Sequence, residues 1–139
     1  WEFHHMKKTM LALLPAAALA LAWPPPAMAG TLQDGDLLAL QVTLQSYIDA
    51  SLVNGALLSV DAESGKTLQY FPTKAHPKVM ALGNDYVMCA EVVDGEGKAS
   101  MADFYITRNG GTFVVFQSVV GHDPLLERLM VDNRVSMAN

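Results

Sequence analysis

The chain has 139 residues, with nine Lys and Arg against fourteen Asp and Glu, a net charge of −5 and a single cysteine. This acidic balance argues against nucleic acid as a partner, because contacts to phosphates need clustered basic side chains. One cysteine excludes an internal disulfide, so the folded part has to be stabilised by burial alone.

The N-terminal region has the organisation of an export signal. Residues 1–5 are expected to be an expression remnant that precedes a natural start at Met6. Lys7-Lys8 then forms a positive segment, residues 10–23 are apolar, and Ala27-Met28-Ala29 is a small-residue cleavage site. The apolar run is shorter than the ~20 residues that cross a bilayer as a helix.

We therefore predict a signal peptide over residues 6–29, with cleavage near Ala29/Gly30. The mature domain would span 30–139 and would be periplasmic or secreted, with no stable membrane span after cleavage. Thirteen acidic and seven basic residues remain in it, about −6 in charge. Its length suits one domain with a sizeable core.

The first element of the mature chain is predicted to be an amphipathic helix from Leu37 to about Val53. Its apolar residues recur at helical spacing and form one stripe: Leu37, Leu40, Leu44, Ile48 and Leu52. Asn54-Gly55 is a typical stop signal for such a helix.

Alternating apolar and polar residues after Gly55 predict strands. The predicted strands are 56–62, 67–74, 77–82, 86–94, 98–108 and 112–120. Asp123-Pro124 is expected to cap a short helix over 125–131, and the tail after it is expected to fray. The fold class predicted is α+β, with the N-terminal helix packed on a curved antiparallel sheet of five to six strands and a short C-terminal helix.

Three assumed turns set the register of the predicted sheet: Asn84-Asp85, Gly95–Gly97 and Asn109-Gly110. They pair Cys89 with both Met80 and Asp103, Lys78 with Glu91, and Asp103 with Phe116. One face is then almost purely apolar and should contact the helix: Val79, Ala81, Tyr86, Met88, Ala90, Val92, Ala102, Phe104, Ile106, Phe113, Val115 and Val119. The other, outer face is mixed: His76, Lys78, Met80, Val87, Cys89, Glu91, Met101, Asp103, Tyr105, Phe116, Ser118 and His122.

The outer face supports a metal hypothesis. Its candidate ligands are His76, Cys89, Asp103 and His122, which are all ligand types, although their spacing matches no compact motif. Nearby thioethers would suit Cu(I) and belong to Met80, Met88 and Met101. The simpler interpretation is that these methionines fill gaps in the core.

A catalytic hypothesis would combine Cys89 with His76 or His122 and with Asp103. Cysteine in the middle of a strand is more typical of a small buried hydrophobe. An enzyme with a pocket between helix and sheet would need an acid or base there. The helix-facing set contains no Asp or His, so no catalytic residue is assigned.

A binding hypothesis explains the outer face best. Its mixed side chains and aromatic residues suit a ligand, a protein partner or a homodimer. The candidate residues are His76, Lys78, Cys89, Glu91, Asp103, Tyr105 and His122. We therefore expect a non-catalytic binding or adaptor protein without a cofactor, with a copper or zinc protein and a small enzyme as alternatives.

Several segments follow one another as in a known group of proteins: His76-Pro77-Lys78-Val79, Gly83 to Ala90, Asp94 with Gly97-Lys98, Asp103 to Ile106, Gly111 to Val115, and His122. Over residues 65–123 the chain resembles small uncharacterised periplasmic bacterial proteins with a cystatin-like or nuclear-transport-factor-2-like fold. The resemblance implies that fold, and it marks His76, Cys89, Asp103 and His122 as positions to test without giving them roles.

Overall fold

The computed structural model describes residues 32–139, so the predicted remnant and signal peptide lie outside the described residues. The described part is an α+β structure with a curved antiparallel sheet. Its elements are α1 (Asp34–Ser51), β1 (Leu57–Val60), β2 (Thr67–Leu82), β3 (Asp85–Asp94), β4 (Ala99–Asn109), β5 (Thr112–Val120), α2 (Pro124–Val131) and β6 (Ser136–Met137). None of the helices among these residues is long and apolar enough to cross a membrane.

Helix α1 begins three residues before the predicted start, because Asp34 and Asp36 occupy its first turn, where negative charge interacts favourably with the helix dipole. Its buried residues are Leu40, Leu44 and Ile48, which recur every four positions and therefore share one face. This face packs on the sheet and places α1 on the inner side of the fold.

The sheet is a meander in the order β1-β2-β3-β4-β5, and β6 pairs with the far end of β2. It curves enough for β1 to contact β5. Two predicted strands, 67–74 and 77–82, form one 16-residue strand, β2. The register of β2 against β3 shifts after Pro72 and again between Ala75 and Val79. These irregularities accommodate the two prolines, which cannot donate to a regular ladder.

The C-terminal tail is ordered, contrary to the prediction that it frays. Ser136 and Met137 pair with Ala81 and Met80 of β2. The Asn139 side chain accepts a 2.7 Å hydrogen bond from the Val79 amide and donates a 3.1 Å bond to the Pro77 carbonyl. Pairing of this kind satisfies part of an open strand edge.

The inner face of the sheet forms the main core with α1. Its buried sheet residues are Leu57, Val79, Tyr86, Met88, Ala90, Val92, Ala102, Phe104, Ile106 and Phe113. The ring of Phe104 meets Tyr47 of α1 edge to face, with centroids 5.9 Å apart. Nearly all of the predicted helix-facing set is therefore placed correctly.

Strand β5 differs from the prediction at its end. Asp103 pairs with Val119, and the predicted pairing with Phe116 is wrong. The predicted turn at Asn109-Gly110 is also wrong, because Asn109 pairs with Thr112 and the turn lies at Gly110-Gly111, which moves the partner of Asp103 by two residues. A register shift between Tyr105 and Ile106 moves it by one more. The extra residue turns every later side chain to the opposite face. Ser118 consequently lies on the inner side, 3.1 Å from the Tyr47 hydroxyl, and Val119 joins the outer face.

Helix α2 folds back over the outer face of the sheet. A second apolar cluster forms there around the buried residues Val87, Tyr105 and Leu126. Partly buried residues around it are Met80, Leu82, Cys89, Val119 and Val135. The outer face is therefore partly covered, and the space left under α2 becomes a cavity.

Candidate functional site

The cavity between the outer face and α2, here called the α2 cavity, has a volume of about 480 Å³. The sheet contributes one wall through Met80, Cys89, Met101 and Asp103. The other wall, from the segment before α2 and from α2 itself, comprises His122, Asp123, Leu126, Glu127 and Met130. Three thioethers, a thiol and three carboxyl groups thus border one space.

Strand pairing explains why the sheet residues meet. Cys89 and Asp103 are direct cross-strand partners, as predicted. Met80 pairs with Val87, two residues from Cys89, and Met101 pairs with Glu91, two residues away on the other side. Side chains two residues apart on a strand share a face, so both methionines are diagonal neighbours of Cys89. The predicted partner of Met80 was Cys89, two residues from its actual partner Val87. Because side chains two residues apart share a face, Met80 still lies on the outer face as predicted.

Asp123 holds α2 over the sheet. Asp123 is 6% exposed, and its side chain accepts backbone hydrogen bonds from Leu125 at 3.0 Å and Leu126 at 3.1 Å. This is the helix cap that the Asp123-Pro124 pair predicted. The other carboxylate oxygen accepts a 2.7 Å hydrogen bond from the Tyr105 hydroxyl. Burial, followed by this bond, raises the pKa of Tyr105, so the phenol remains a donor.

Asp103 is the more unusual of the two aspartates. It is 5% exposed, and within residues 32–139 no ion pair joins it to a basic side chain. Burial raises the pKa of Asp103, and the nearby charge of Asp123 adds to the rise, whereas a hydrogen bond with the Cys89 thiol opposes it. An uncompensated buried carboxylate is costly, so this group favours either a proton or a cation.

Cys89 is a partly buried free thiol. Burial raises its pKa strongly, and the hydrogen bond to Asp103 and the charges of Asp103 and Asp123 raise it further. The thiol is therefore neutral at ordinary pH and a poor nucleophile. In the described part of the chain no hydrogen bond joins it to a histidine, so the predicted Cys-His-Asp arrangement is not assembled.

The two histidines lie apart. The ring of His122 is 3.3 Å from the carboxylate of Glu127 at the exposed rim of the α2 cavity. His76 is 3.1 Å from the carboxylate of Glu91 and lines a groove between α1 and β2. This groove places a histidine on the helix side of the sheet, where the sequence predicted none.

Lys78 does not pair with Glu91, contrary to the predicted register. The irregular stretch of β2 brings Lys74 opposite Glu91 instead and leaves Lys78 exposed. Among residues 32–139 no group of three or more His, Cys, Asp or Glu side chains is placed to hold a metal ion. The four predicted ligands therefore do not form one centre by themselves.

Sequence reasoning missed Asp123, Leu126 and Met130 as cavity residues. The cap signal in Asp123-Pro124 was visible, but it does not say which surface the helix will cover. The aliphatic residues of α2 are the only local signal that one of its faces is buried, and Leu126 and Leu129 occupy that face.

Comparisons of the chain with protein-family models, with curated proteins and with solved structures find no match in any of the three. No residue role can therefore be carried over from a relative.

Proposed function

We propose that this chain is an exported, non-catalytic binding protein that holds a small cationic ligand in the α2 cavity. The observation that carries the proposal is Asp103, a residue that is 5% exposed, borders the cavity and has no basic partner among residues 32–139. A buried carboxylate of this kind is stabilised by an incoming positive charge.

A second carboxyl group strengthens the preference for a cation. Asp123 lies on the opposite wall, and its charge already raises the pKa of Asp103. A cation in the cavity would relieve the repulsion between the two groups, and it would replace any proton held by Asp103. Binding should therefore weaken as the pH falls, since protons compete for the same carboxylate.

A binding role also fits the thiol better than catalysis does. The raised pKa of Cys89 keeps it neutral, and the histidines that would activate it contact Glu91 and Glu127 instead. The homodimer expected through the outer face loses much of its surface to α2. The α2 cavity is consequently the better candidate for the binding site.

Export and the finer fold assignment belong to the same proposal. The charged segment, apolar run and cleavage site before Gly30 support a periplasmic or secreted domain over 30–139. One helix packed on a curved antiparallel meander supports a cystatin-like or nuclear-transport-factor-2-like fold. N-terminal sequencing of the protein recovered from the periplasm should begin near Gly30, and an intact N-terminus there would overturn the cleavage.

The cation proposal is tested by thermal unfolding with separate probes: tetramethylammonium, spermidine, Zn²⁺ and Cu(I). At least one probe should raise the melting temperature at neutral pH, because a ligand at 100 times its Kd stabilises the native state by about 2.7 kcal/mol. Asp103→Asn should abolish the rise. The matched control is Asp49→Asn, an exposed position on α1, which should leave the rise intact.

Two results would overturn the proposal. One is the absence of any stabilisation by the four probes. The other is a rise in melting temperature of the same size in Asp103→Asn and in the wild-type protein, since the cation would then bind elsewhere.

A further inference from the structure

We propose that the cation taken by the α2 cavity is Cu(I), bound by the sulfur atoms of Met80, Cys89 and Met101. The inference rests on the proposed function and names the ligand class for that site. It is carried by the position of these three residues on adjacent strands.

Each of the three central strands contributes one sulfur to the same patch. Met80 lies on β2, Cys89 on β3 and Met101 on β4, and all three line the α2 cavity. The methionines flank Cys89 as diagonal neighbours, with Cα atoms about 7–8 Å apart in such positions. A methionine side chain has three rotatable bonds, so its sulfur can turn towards the centre of the patch.

Met80 and Met101 differ in burial from Met88, a methionine that fills space in the core. Met88 is 1% exposed, lies on the inner face and packs in the main core. Met80 and Met101 retain partial exposure and border the cavity instead. Met130 faces the same cavity from α2, which provides a further sulfur opposite the sheet.

The donor set selects a soft metal over a harder one. Thioether and thiolate ligands favour Cu(I), whereas Zn²⁺ is held by His, Cys and carboxylate groups. No grouping of three or more such residues is placed for a metal within residues 32–139. A thioether carries no proton, so Met80 and Met101 remain donors at every pH.

The thiol proton leaves when the metal binds. As Cu(I) binds, the S–H bond of Cys89 breaks, a Cu–S bond forms and the proton is released to water. One positive charge enters the site and one leaves it, so charge balances without an oxidant or a reductant. Asp103 is the direct cross-strand partner of Cys89 and lines the same cavity, so its carboxyl group lies beside the metal.

The test is an anaerobic competition between the full chain and the Cu(I) chelator bathocuproine disulfonate. The wild-type protein should withdraw one equivalent of Cu(I). Met80→Leu combined with Met101→Leu should lower the Cu(I) affinity by at least about 100-fold, since even the partners of metal ligands change affinity 10–100-fold. Cys89→Ser should remove the near-ultraviolet Cu–S absorption. Zn²⁺ should not displace Cu(I).

The matched control is Met88→Leu, a methionine of β3 on the opposite face, which should bind Cu(I) like the wild-type protein. Near-ultraviolet circular dichroism checks that every variant is folded, which is expected because exchanges between Met and Leu preserve volume. Unchanged Cu(I) affinity in the Met80/Met101 double variant would overturn the inference.

The outcomes separate this inference from the proposed function. If tetramethylammonium or spermidine stabilises the wild-type protein through Asp103 and Cu(I) is not withdrawn, the copper inference fails and the cation site stands. If neither Cu(I) nor any other probe binds, both fail.

Discussion

The Tyr105 hydroxyl donates a 2.7 Å hydrogen bond to the Asp123 carboxylate, and this bond joins the centre of the sheet to the first turn of α2. The other oxygen of Asp123 accepts the amides of Leu125 and Leu126. One side chain therefore caps the helix and also positions it over the outer face. This buried contact and the packing of Leu126 against Val87 and Tyr105 together position α2 over the cavity.

The first prediction concerns that contact. Tyr105→Phe should lower the free energy of unfolding by about 1.5–3 kcal/mol, the typical range for a hydrogen bond to a charged group. Urea denaturation measures the loss. Tyr47→Phe is the matched control, because its hydroxyl meets Ser118 in an exposed contact, and its loss should be smaller. Equal losses in the two variants would contradict a special role for the Tyr105–Asp123 bond.

The second prediction concerns the pH dependence of stability. Burial raises the pKa of Asp103 above its ordinary value of 3.8, so the native state holds this proton more tightly than the unfolded chain does. The associated stability is fully present below pH 3.8 and is lost as pH rises through the folded-state pKa. Asp103→Asn lacks this loss, so it should gain stability relative to the wild-type protein as pH rises.

Urea denaturation at a pH below 3.8 and at neutral pH measures this difference. Asp49→Asn, at an exposed position on α1, is measured alongside as the matched control for the exchange of Asp for Asn. A relative stability of Asp103→Asn that does not vary with pH would show that Asp103 titrates normally.

The third prediction concerns the reactivity of Cys89. Its raised pKa, caused first by burial and then by Asp103, leaves little thiolate in the native protein. Iodoacetamide should therefore modify native Cys89 much more slowly than the urea-unfolded chain, as followed by mass spectrometry. Asp103→Asn removes a negative charge beside the thiol and should accelerate the native reaction. A slower or unchanged rate in that variant would show that Asp103 does not control the thiol.

The fourth prediction concerns the turn that leads from β5 to α2. Gly121 has a φ of 97°, and a Cβ there would lie 3.1 Å from the Tyr70 hydroxyl. Gly121→Ala should therefore destabilise the fold by about 1–3 kcal/mol, as is typical of a residue in a disfavoured backbone region. Gly111→Ala is the control, because a Cβ at this position meets no atom within 4 Å. Similar melting temperatures for the two variants would contradict the prediction.

Local sequence patterns, namely the spacing of apolar residues and the turn signals, predict much of the fold. The four-residue spacing of Leu40, Leu44 and Ile48 predicts the buried face of α1, because helical geometry brings these positions together wherever the helix packs. The turns around Gly97 and Gly110 predict which strands are neighbours. The pair of Cys89 and Asp103 follows from the loop length at Gly95–Gly97 alone.

The wrong predictions of strand pairing occur where the position of a single residue decides which side chains face each other. The irregularity at Tyr105 and Ile106 reverses Ser118 and Val119, and no local pattern in β5 marks it. Lys78 misses Glu91 because the hairpin turn lies at Gly83-Asn84, one residue before the predicted Asn84-Asp85, and the irregular part of β2 then shifts the pairing further, to Lys74. Successive side chains of a strand point to opposite faces, so one inserted residue moves every later side chain to the other face. Whether a residue is inserted depends on packing on both sides of the sheet.

The sequence by itself determined the α+β class, the inner core and the presence of thiol, thioether and carboxyl groups on one sheet face. Only the tertiary structure decided that α2 returns to cover that face, that Asp123 joins Tyr105 there, and that Asp103 is buried without a basic partner among the described residues. The physical reason is that periodicity reports which side of an element is apolar, whereas the partner that covers this side is chosen by contacts between residues distant in the chain.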